Sequence, residues 1–61
     1  MNSEQRRQAI LQALNGAEKP LSATALAGWL AVSRQIIVGD VALLRAGGAQ
    51  IVATARGYVL G

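Results

Sequence analysis

Between Ser22 and Ser33 the chain has room for about two turns of helix and a corner. Ser22 is a favourable N-cap, and Leu26, Ala27 and Leu30 then recur along one helical face. The apolar pattern breaks near Ala31-Val32, and Ser33 at once offers a second N-cap. The segment that follows, from Arg34 to about Ala46, carries Ile37, Val41 and Leu44 at helical spacing. It meets a stop at Gly47-Gly48, where a glycine in the left-handed conformation can close a helix. Two amphipathic helices joined by so tight a turn have helix-turn-helix spacing.

The flanking segments complete a frame around this pair. Ser3 is expected to cap a first helix with Glu4 in its first turn, favourable against the dipole, and with Ile10, Ala13, Leu14 and Ala17 along its apolar stripe. Asn15-Gly16 is its stop signal, and Lys19-Pro20-Leu21 is a connector in which Leu21 is extended. In the second helix, Gly28 lowers the propensity a little and Trp29 is placed at the edge of the core. After the glycines, the β-branched stretch from Gln50 to Thr54 and the segment Gly57-Tyr58-Val59-Leu60 flank a Gly-containing turn and read as a hairpin. A hairpin directly after the third helix is a wing. The expected fold class is α+β: a winged helix-turn-helix of three helices followed by a two-stranded β-hairpin wing, with residues 1–61 forming one domain.

Composition limits what this frame can do. A chain of 61 residues buries about 60% of the surface it exposes when unfolded, and with 52% hydrophobic but 3% aromatic residues its core must be Leu, Ile, Val and Ala. The lack of Cys and His removes disulfides, thiolate nucleophiles, zinc fingers and imidazole bases, so no metal site and no cofactor is expected. The carboxylates Glu4, Glu18 and Asp40 are scattered, no nucleophile has a base partner, and no Gly-rich phosphate loop follows a strand, which argues against an enzyme. The N-terminus has no apolar signal core, and no run approaches the roughly 18 apolar residues of a membrane span. A cytoplasmic protein with no membrane partner is expected. Six basic residues against three acidic ones leave +3, a balance that suits a polyanion.

Placement sharpens that hint. With Ile37, Val41 and Leu44 turned to the core, Gln35, Val38, Gly39, Ala42 and Ala46 point the opposite way, the face that a helix-turn-helix presents to the major groove. Gln35 can pair with adenine N6 and N7, and Val38 can meet a thymine methyl. Gly39, costly inside a helix, lets the backbone approach the groove wall. Arg34 and Arg45 fall about 20° apart on one flank, three turns apart along the axis, where phosphates lie. Ser33 and the free amides of the helix start can add phosphate contacts beside capping. Arg56 at the hairpin tip can reach the DNA backbone or minor groove, and Thr24 can donate to phosphate. Arg6 and Arg7 open the first helix against its dipole and are read as solvated or reaching a partner, not as DNA contacts. Asp40, which would repel DNA, is read as a structural acceptor or ion-pair partner.

The stretch Ser33-Arg34-Gln35-Ile36-Ile37-Val38-Gly39-Asp40-Val41-Ala42-Leu43-Leu44-Arg45-Ala46, followed by Thr54-Ala55-Arg56-Gly57-Tyr58-Val59-Leu60, resembles the N-terminal winged helix domain of the niacin-responsive transcriptional repressors. The opening Arg6-Arg7-Gln8-Ala9-Ile10-Leu11 and the Leu26-Ala27 to Val32-Ser33 turn are similar too. Biotin ligase repressors begin with the same general domain, whose wing also ends in Gly-Tyr; the Ser-Arg-Gln start and Arg-Gly-Tyr wing favour the niacin group. The family's C-terminal domain, with three histidines for metal and effector, has no counterpart in these residues, so the resemblance implies only the DNA-reading half. Gly39 replaces a longer polar residue, which puts the family's operator sequence in question, and Ala55 stands where the wing often has Pro, which loosens it. The expected activity is sequence-specific binding of double-stranded DNA in a bacterial repressor, with recognition helix 33–46 in the major groove and wing 54–58 on the backbone, as a homodimer on a palindromic operator. The alternative is a winged-helix protein–protein interaction module.

Overall fold

The computed structural model describes residues 1–61, which form α1 (Ser3–Gly16), α2 (Ala23–Leu30), α3 (Arg34–Ala46), β1 (Ile51–Thr54) and β2 (Gly57–Leu60). The three-helix and hairpin architecture is the expected α+β winged arrangement. Local chemistry explains most of its boundaries. Asn2, not Ser3, caps α1: its side chain accepts from the Gln5 amide at 2.8 Å while Gln5 Oε1 accepts from the Asn2 amide at 2.9 Å. Ser3 would have needed its reciprocal partner at Arg6, a side chain with donors only. Asn15 and Gly16 lie within the last turn of α1 rather than after it, and Ala17 is the extended C-cap.

Ser22 and Ser33 cap α2 and α3 as expected, accepting from the amides of Ala25 at 3.0 Å and Ile36 at 3.1 Å. The corner between them is made by Ala31, which takes the left-handed conformation (φ 56°) and donates its amide to Ala27. This conformation costs an alanine about 1–2 kcal/mol, and it turns the axes of α2 and α3 through 107°. Gly48, at φ 104°, closes α3.

The core draws Ile10 and Leu14 from α1, Ala23, Leu26 and Ala27 from α2, Ile37 and Val41 from α3, and Ile51 from β1. Leu44, Leu30 and Tyr58 pack partly buried against it. Trp29 departs from expectation. The residue is 60% exposed, because the core side of α2 is already filled by Leu26 and Ala27, and it borders a shallow apolar hollow with Ala13, Leu21, Ala25 and Leu26.

Strands β1 and β2 pair antiparallel from Ile51↔Leu60 to Thr54↔Gly57, so β1 starts one residue after the expected Gln50 and the turn itself is Ala55-Arg56. Leu21, extended as expected, adds a one-residue rung on the other edge of β2 by exchanging backbone hydrogen bonds with Tyr58 at 3.0 and 2.8 Å. Gly57 permits that approach: at φ 139°, a Cβ there would sit 2.5 Å from the Leu21 carbonyl carbon. The wing is thereby tied to the start of α2. No single helix is long and apolar enough to cross a membrane.

Candidate nucleic-acid interface

The exposed face of α3 is built by what the helix buries. Ile37, Val41 and Asp40 are enclosed, so Arg34, Gln35, Val38, Gly39, Ala42 and Arg45 are left in solvent. Gln35 stands exposed in the first turn. A Cβ built on Gly39 meets nothing within 4 Å, so no packing constraint requires glycine there. Ser33 spends its acceptor on the Ile36 amide, which leaves its hydroxyl proton free to donate outward. Arg45 lies in the last turn of α3, where its charge also suits the helix dipole.

Tying the wing to α2 brings Arg56 and Arg34 to one cleft. This cleft, about 280 Å³, is lined by Arg34, Arg56, Thr54, Ser22, Gly57 and Tyr58 among others. The Thr54 hydroxyl donates to the Gly57 carbonyl at 2.7 Å and accepts from the Arg56 amide at 3.2 Å, which holds the tip of the wing in shape. Ser22 was not expected at the site from sequence, and Thr54 was expected only as part of the wing, residues 54–58, rather than as a named contact. Their place beside the arginines follows from the Leu21–Tyr58 rung, which joins segments far apart in the chain and leaves no local sign. Thr24, exposed in the first turn of α2, is outside this cleft.

The arginines divide into two groups. Asp40, 3% exposed, accepts from Arg6 Nε at 2.5 Å and Arg6 Nη2 at 2.9 Å, with Arg7 Nη1 at 3.7 Å. The hydrogen bond to Asp40 holds the Arg6 guanidinium above its ordinary range, against a smaller opposing effect of burial. Arg6 and Arg7 are thus occupied by an internal carboxylate, and Asp40 is the ion-pair partner that its position suggested. Arg34, Arg45 and Arg56 have no carboxylate within 4.0 Å. No three Asp, Glu, Cys or His side chains converge. What this surface offers is three unpaired guanidinium groups beside an uncharged helix face, chemistry suited to binding a polyanion.

Comparison with known proteins points the same way. The family model described as an HTH domain matches residues 6–59. A probable transcription repressor, NiaR, of Thermotoga maritima is 49% identical over 57 residues, covering 93% of this chain and 33% of its own length. The transcription repressor NadR of Bacillus subtilis is 44% identical over 54 residues, 88% of this chain and 30% of its own length. The chain therefore spans about a third of the length of these relatives, and the repressor resemblance drawn from its sequence is matched by both.

Proposed function

Because the chain belongs to the helix-turn-helix domain family and is a DNA-binding domain of a bacterial transcriptional regulator, we propose that α3 lies in the major groove while the wing grips the backbone. One observation carries this reading: Arg34, Arg45 and Arg56, the arginines that no carboxylate neutralises, lie beside the exposed α3 face, two of them in a single cleft. In this arrangement Gln35 and Val38 meet base edges, Gly39 lets the backbone approach, and Ser33 and Thr24 donate to phosphates. Residues 1–61 act as one DNA-reading module of a non-enzymatic, cytoplasmic regulator. Two copies bind a dyad-related operator about one helical turn apart, because one small module buries little surface on DNA.

Polarisation titration of a labelled random duplex at two salt concentrations tests the assignment. Binding should weaken steeply with salt, with a slope of about 0.9 per phosphate contact. A second reading, a protein-docking module, is favoured by the exposed Trp29 and its apolar hollow. No DNA binding even at low salt would give that reading the field. For assembly, sedimentation with half-site and full-site duplexes should give two chains per palindrome, and a tight one-to-one complex there would refute it.

A further inference from the structure

Resting on the DNA-binding assignment, we propose that Ile36 and Leu43 are specificity-determining residues that read thymine methyl groups along one wall of the major groove. The argument begins with the two flanks of α3. Taking about 100° per residue, Ile36 and Leu43 lie within about 20° of each other, and Arg34 and Arg45 lie about 180° away, with Gln35 midway between the pairs. A helix that turns Gln35 to the base edges therefore presents two guanidinium groups to one wall of the groove. To the other wall it presents two aliphatic side chains.

These side chains have no task inside the fold. Leu43 is 60% exposed and Ile36 41%, although the same helix fully encloses Ile37. A phosphate offers an aliphatic side chain nothing, so this flank can gain only from an apolar feature of the bases. In the major groove that feature is the thymine C5-methyl. The surroundings permit the approach. Asp40, on the adjoining stripe of α3, would repel the DNA strand, but Arg6 and Arg7 engage its carboxylate. Ile36 and Leu43 stand about 10 Å apart along the axis, which spans roughly three base-pair steps. The preferred half-site should then carry two thymines at that separation on the side away from the arginine contacts.

The test removes methyl groups singly without disturbing base pairing. A preferred duplex is selected from a randomised library with the 61-residue chain, and each thymine is replaced in turn by deoxyuridine. Two positions, about three steps apart, should each lose about fourfold in affinity, the value of one buried CH2-sized group. Leu43→Ala should bind the thymine and uracil duplexes equally at one of these positions and Ile36→Ala at the other. Both variants should keep the salt slope and the thermal stability of the parent chain. Indifference of the parent chain to every uracil, with salt-dependent binding intact, would overturn the methyl reading and leave the DNA assignment standing. Uracil sensitivity that persists in both variants would overturn it too, by moving the methyl contacts to other residues such as Val38. Failure to bind random duplex at low salt would remove the DNA assignment and the methyl reading together.

Discussion

Replacing Gly39 by alanine should stabilise the fold and disturb its grip on DNA, two effects of opposite consequence from one methyl group. Gly39 lies inside α3, between Ser33 at one cap and Gly47 at the other, and a Cβ built there touches nothing within 4 Å. No packing cost therefore offsets the gain in helix propensity, which is about 0.8–1.0 kcal/mol for alanine over glycine in a helix interior. In a domain of this size, 1 kcal/mol moves the thermal midpoint by roughly 4–8 °C. Circular dichroism melts of the two proteins would read that shift directly. Gly57→Ala is the control of opposite sign. Its Cβ would press within 2.5 Å of the Leu21 carbonyl carbon and its φ of 139° disfavours any side chain, so it should lower the midpoint. A Gly39→Ala protein that melts at or below the parent would refute the reasoning, since it would mean that this stretch of α3 is not a regular, solvent-facing helix. If the midpoint rises as expected, affinity for a selected duplex should nevertheless change, because the new methyl stands on the groove side.

Other perturbations separate the parts of the interface. Arg45→Ala and Arg56→Ala should each reduce the log-log salt slope by about one, and an unchanged slope in both would take them off the DNA. Gln35→Ala should alter stability by less than about 0.5 kcal/mol and random-duplex binding hardly at all, yet cost roughly 1 to 3 kcal/mol on a selected duplex. Equal losses on both duplexes would show that this face does not read sequence. Arg6→Ala should destabilise the fold by leaving Asp40 enclosed without its main donor, with Arg6→Lys intermediate, and denaturant midpoints would rank the three. The raised pKa of Arg6 contributes stability that is complete below its ordinary value and lost only as pH climbs through the raised one. Stability between about pH 6 and pH 9 should therefore show no dependence traceable to Arg6, which a urea series across that range would check.

What could be read from the chain beforehand was whatever a short segment decides by itself. The bounds of α3 follow from Ser33 and Gly47-Gly48, and the hairpin from β-branched residues around a turn, so the third helix and the hairpin were visible in advance. The start of α1 was misplaced by one residue because Asn2 and Ser3 both cap well, and the choice fell to the side chain three positions on. The corner at Ala31 carries no glycine to announce its left-handed backbone; it is imposed by packing α2 against α3. Trp29 lies beside an apolar stripe on a helical wheel, but a wheel cannot show that smaller residues have already filled the core. The ion pair of Arg6 with Asp40 and the cleft shared by Arg34 and Arg56 both depend on segments distant in sequence, so no local pattern could reveal them.

Those distant contacts explain how a small frame can hold an exposed α3 face that it does not pack. The Leu21–Tyr58 rung positions the wing against the start of α2, and the Arg6–Asp40 pair positions α3 against α1. Neither uses a residue of the exposed face. Gln35, Arg34, Arg45 and Arg56 contribute no buried side chain, so their replacement costs little folding energy. Base preference is therefore free to change on a constant scaffold, whereas Asp40, Gly57 and Ile37 are not free to change with it. Exchanging Gln35, Val38 and Gly39 together for another set should thus move the preferred duplex while the melting curve reports only the gain or loss of helix propensity at position 39. A set of exchanges that unfolded the chain would show that the face is part of the frame after all.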